Sequence, residues 1–126
     1  MGKLVDNSVL DGALNIIYNG TTQLVVCADT PTTYANATAT YDLATKTGLS
    51  TASFTAAADD AVSPYGRKLQ VAAQATITVD HSGTATHIAL CSGSVLLYVT
   101  TCTSQALVAA NTVTVPTWKI QIGDPT

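Results

Sequence analysis

The sequence predicts a mainly β protein: an antiparallel β-sandwich or barrel-like domain with one N-terminal α-helix. Three observations carry this. First, the chain from residue 66 to 122 reads as short strands, at 68–73, 75–79, 84–91, 95–101, 112–115 and 118–122. Second, tight-turn signals separate them: Asp80-His81-Ser82-Gly83, Ser92-Gly93 and the run around Ala110-Asn111. Short strands at this spacing with such turns indicate a sandwich or barrel. Third, the strands have a facing pattern. Leu69, Val71 and Ala73 oppose Lys68 and Gln70; Ile77 and Val79 oppose Thr76 and Thr78. Ile88 and Leu90 oppose His87 and Ala89; Trp118, Ile120 and Ile122 oppose Thr117, Lys119 and Gln121. One buried face per strand is what two stacked sheets require.

Residues 1–20 form a helical arm and residues 21–126 the β core of a single domain. A helix is predicted over 8–19. Asn7 or Ser8 can cap it, and Ser8-x-x-Asp11 approximates a capping box. Val5, Val9, Ala13, Ile16 and Ile17 fall near one face, which Leu10 and Leu14 widen. Asn19-Gly20 supplies the stop. Gly12 costs such a helix about 1 kcal/mol relative to Ala. The helix covers an open edge or end of the β core, or docks on a neighbouring subunit.

Residues 22–28 read as a strand whose near-continuous apolar run predicts burial on both faces. Asp29-Thr30-Pro31 ends it. The stretch 32–64 is rich in Thr, Ala, Ser and Asp with weak alternation. Within it, 38–43 reads as a strand, Phe54 anchors another short one, and 56–64 is a loop ending at Ser63-Pro64-Tyr65-Gly66. A long loop of this kind is either a contact surface or a connector. Pro116 cannot donate to a ladder and should mark an edge or bulge before the last strand.

Composition narrows the function. The chain has 126 residues, enough for one core, and only 10% are charged, against roughly 25% in typical soluble domains. Such a surface steers partners weakly and costs little to desolvate, which suits permanent assembly as well as ordinary β-protein life. Five Lys or Arg, with only Arg67-Lys68 adjacent, give no stripe to neutralise phosphates, so nucleic acid is not an expected partner. Neither a signal peptide nor a membrane span is visible, and Asp6 breaks a myristoylation motif at Gly2. Folding in a cytoplasm is expected, without a membrane partner.

Three cysteines without CxxC or metal spacing fit buried thiols. With Ser92-Gly93 as a hairpin turn, Cys91 faces Ser94. Cys102 then lies about eight residues, roughly 26 Å, away along the partner strand. A disulfide needs Cα atoms within about 7 Å. Cys27 could meet either one.

Catalytic and ligand patterns are sparse. His81 falls in a turn and His87 in a strand, with no second ligand at a metal spacing. Asp59-Asp60 could bind calcium or simply face solvent, and no EF-hand spacing surrounds it. No GxSxG elbow, Cys/His pair, GxGxxG or P-loop is present. The expectation is a non-enzyme without cofactor or metal. Asn36-Ala37-Thr38 matches the N-glycosylation pattern by chance. Trp118 alternates with the core set. Tyr34 and Tyr65 flank the weakly patterned region, and aromatic rings of this kind serve interfaces or tie down loops. Arg67 beside Tyr65 is a natural hydrogen-bonding anchor. Tyr34, Tyr65, Arg67, Val9 and Ile16 are therefore the candidate interface residues.

Five segments together carry a family resemblance. They are Val5-Asp6-Asn7-Ser8-Val9-Leu10-Asp11-Gly12-Ala13-Leu14-Asn15-Ile16-Ile17, Cys27-Ala28-Asp29-Thr30-Pro31-Thr32-Thr33-Tyr34, Gly66-Arg67-Lys68-Leu69, Ser82-Gly83-Thr84-Ala85-Thr86-His87-Ile88-Ala89-Leu90 and Pro116-Thr117-Trp118-Lys119-Ile120-Gln121-Ile122-Gly123-Asp124-Pro125. Across nearly the whole chain they resemble small proteins encoded in tailed-phage and prophage head and tail gene clusters. The resemblance implies a virion structural protein, most plausibly a capsid decoration or cement protein on the major capsid protein shell. By analogy with such proteins it also implies a homotrimer at threefold or quasi-threefold points. It transfers no catalytic residue. The alternative is a tail, collar or fibre component that binds a host glycan.

Overall fold

Asp6 starts the helix. Its carboxylate Oδ1 accepts from the Ser8 backbone N–H at 2.8 Å and from the Ser8 hydroxyl at 2.6 Å. This relieves one of the donors that every helix start leaves open. The helix α1 runs Asn7–Gly20 and ends as the Thr21 N–H reaches the Ile17 carbonyl. The cap is thus one residue earlier than Asn7. Asp11 takes no part in a capping box, because its carboxylate is held by Arg67 instead. This computed structural model describes residues 4–63 and 65–125; Pro64, part of the expected turn before Gly66, lies outside them.

The inward face of α1 is Leu10, Leu14, Ile17 and Tyr18, at i, i+4, i+7 and i+8. Leu14 is fully buried, and burial of such a side chain contributes about 1.5–3 kcal/mol. Tyr18 meets Phe54 edge to face at 6.2 Å between centroids. Val9, Ala13 and Ile16 point outward, so the face expected from the sequence is rotated. Both sides of the helix are apolar, and the side with Leu10, Leu14, Ile17 and Tyr18 takes the core.

Among the described residues nine strands follow: β1 (Gln23–Cys27), β2 (Asp42–Thr47), β3 (Phe54–Asp59), β4 (Arg67–Val71), β5 (Gln74–Thr78), β6 (Gly83–Cys91), β7 (Leu96–Leu107), β8 (Thr112–Val115) and β9 (Trp118–Ile122). They form three antiparallel sheets in the orders β2-β1-β6-β7, β3-β4-β9 and β5-β8. The protein is mainly β with one N-terminal helix, in a sandwich-like arrangement. Helix α1 packs on β3 and β4. One core joins all three sheets and the helix, through Leu14, Leu24, Val26, Leu69, Val71, Ile77, Leu90, Val115 and Ile120.

Strands β1 and β6 are buried on both faces. Val25, Cys27, Ala89 and Cys91 turn away from the main core and form a second cluster under Ala37, Tyr34 and Tyr41. The cover is the stretch after Pro31. Residues expected as a strand over 38–43 instead contain a π-helical turn, Asn36–Thr40, before β2 begins. The Thr38 hydroxyl donates to the Tyr34 carbonyl at 2.8 Å, and the Tyr41 N–H donates to the Asn36 carbonyl. These local bonds compete with a sheet ladder, as Ser, Thr and Asn side chains often do.

Three other boundaries differ from the sequence reading. The stretch read as loop over 56–64 is strand as far as Asp59, because β3 pairs with β4 despite its weak alternation. Strand β4 ends at Val71, leaving Ala73 exposed. The β6–β7 turn holds four residues rather than two: the Ser92 N–H donates to the Val95 carbonyl and Cys91 pairs with Leu96.

Candidate functional site: a pinned helix and its outer face

Arg67 opens β4 and points at α1. Its Nε and Nη2 donate to the two Asp11 carboxylate oxygens at 2.7 and 3.0 Å. Its Nη1 donates to Asp59 at 2.7 Å, and Nη2 also reaches the Ala57 carbonyl at 3.3 Å. Two carboxylates on one guanidinium raise its pKa further, Asp11 contributing most. A fork-to-fork pair of this kind fixes angle as well as distance. The sequence nominated Arg67 as an anchor for a partner; the structure spends its donors inside the chain.

The clamp fixes the orientation of the helix. Val9 is 63% exposed and Ile16 64% exposed, with Ala13 between them on the same side. Surface helices usually turn polar residues outward. Here the outward stripe is aliphatic at i, i+4 and i+7. Gly12 lies beside it with open space where a Cβ would project.

Two residues before Arg67, Tyr65 stands on a turn with φ of 59° and is 56% exposed. Gly66 follows at φ of 87°, a left-handed conformation that glycine adopts without strain. The turn is tied down from several directions. Gln121 Nε2 donates to the carbonyls of Val62 and Tyr65 at 2.9 and 3.1 Å, and the Asp60 N–H donates to the Gly66 carbonyl. Arg67 therefore joins the loop that carries Tyr65 to the helix that carries Val9 and Ile16. Tyr34 is not in this constellation. Its hydroxyl accepts from Gln23 Nε2 at 3.1 Å, and its ring covers the second cluster.

The acidic pair Asp59-Asp60 is not a solvated loop. Asp59 ends β3 in the Arg67 network. The Asp60 side chain is 1% exposed and accepts from Lys119 Nζ at 2.6 Å. That bond, with help from the Val62 N–H, holds the Asp60 carboxyl below its usual range. Sequence reading missed this pair, buried on its Asp60 side, because the partner lies 59 residues away.

The histidines sit apart from carboxylate side chains in their hydrogen bonding. His87 Nε2 lies 2.9 Å from the Thr30 hydroxyl, and Nδ1 lies 2.8 Å from the Thr86 hydroxyl. Thr86 donates its one proton to the Ala28 carbonyl, which leaves its oxygen as an acceptor toward Nδ1. His81 Nδ1 meets the Asp42 backbone carbonyl at 3.1 Å. Among the described residues no group of three His, Cys, Asp or Glu could hold a metal ion. Cys27, Cys91 and Cys102 are all free thiols, and burial pushes Cys27 up to about 12. Cys27 lies under the π-helical turn with its Sγ 3.7 Å from the Ala37 carbonyl, which makes it a packing group rather than a nucleophile.

No helix among the described residues is long and apolar enough to cross a membrane. No family model, curated protein or solved structure matches the chain.

Proposed function

We propose that this protein is a virion structural component, a decoration or cement protein that docks on the assembled shell of the major capsid protein. The observation that carries the reading is the outward aliphatic stripe Val9–Ala13–Ile16 on a helix whose other side is already packed and clamped. A helix apolar on both sides is suited to being covered twice. The core covers one side; a partner surface covers the other. The clamp keeps the stripe in a fixed pose, which lowers the ordering cost of docking. The low charge of the chain suits burial against a permanent assembly. The segments that resemble phage head and tail proteins supply the setting, and a trimer around local threefold points is the matching arrangement.

The test is co-sedimentation with assembled major capsid protein shells of a tailed phage whose particles contain this chain. The wild-type protein pellets with shells at a simple ratio to coat subunits. The double variant V9D/I16D, with unchanged circular dichroism and melting, stays in the supernatant. Equal pelleting of the two would remove the helix from the contact. Only a handful of copies per purified virion would favour the tail, collar or fibre reading, and absence from the virion would end both.

A further inference from the structure

We draw no further inference here: the strongest candidate, the cleft of about 480 Å³ lined by β7, β8 and the start of β9, carries none because nothing in the structure shows what fills it.

Discussion

Arg67 and Asp11, 56 residues apart in sequence, meet in a two-point ion pair that holds the N-terminal helix on the edge of the β core. Asp59, on the same guanidinium, is far more open, with its side chain 82% exposed against 24% for Asp11. Solvent screens exposed pairs and leaves them worth little. The two carboxylates should therefore differ in consequence. D11A is expected to lower the thermal midpoint and weaken the helical signal, whereas D59A leaves both nearly unchanged. Thermal melts followed by circular dichroism at 222 nm decide it, and equal effects would mean the clamp is not what seats the helix.

Leu14 and Ile16 separate folding from docking. Leu14 is fully buried and Ile16 points outward. L14A should destabilise by about 2–5 kcal/mol, from lost transfer energy and the cavity left behind. I16A should stay within about 0.5 kcal/mol of wild type, as surface changes generally do. Urea unfolding measures both. A large loss from I16A would mean that the stripe serves internal packing.

Two glycines predict opposite signs. At Gly66, with φ of 87°, an added Cβ would strike the Ile122 carbonyl oxygen and the Asp124 N–H. G66A should cost about 1–3 kcal/mol from backbone strain alone, with the clash added. At Gly12, mid-helix with open space around it, G12A should stabilise by about 0.5–1 kcal/mol. Chemical denaturation of the two variants against wild type checks the pair.

Asp60 sets an acid limit. Its folded pKa lies below the ordinary 3.8, chiefly through the Lys119 bond. The ionised pair therefore contributes in full above that ordinary value, and the contribution is lost as pH falls through the lower folded value. Asp42 acts the other way: burial raises its pKa, so its cost at neutral pH is relieved on acidification. D60N should reduce stability at pH 7 and flatten its decline below about pH 4, where the carboxylate reference value lies. Denaturation midpoints from pH 2 to 7 for wild type and D60N test this; parallel curves would assign the acid limit elsewhere.

Much of the fold was legible because its signals are local. The α1 boundaries moved by one residue at each end, since periodicity and Asn19-Gly20 mark a helix regardless of what it packs on. Strand β1 read correctly as buried on both faces because an apolar run has no side left for solvent. The strands after Gly66 followed their turns, although β7 extends to Leu107 where Thr, Ser and Gln obscure the alternation. Ser92-Gly93 marked the turn before Leu96 but not its length, because Ser94-Val95 carries no glycine to extend the signal.

The candidate site was less legible. Val9, Ile16, Tyr65 and Arg67 were nominated singly, yet their relation runs through Asp11 and Asp59, which no local pattern links. The cleft lined by β7, β8 and the start of β9 over Val26 and Ile88 was not legible at all, since no local pattern brings those segments together.

Strand and helix type, turn positions and the shortage of charge follow from residues within a few places of each other, where backbone sterics and side-chain periodicity act. Which helix face turns inward, whether Asp60 meets water or Lys119, and which strand edges stay open were decided only in the folded chain. Those outcomes depend on volume matching, desolvation and pairing between residues tens of positions apart, and the same local pattern is compatible with either answer.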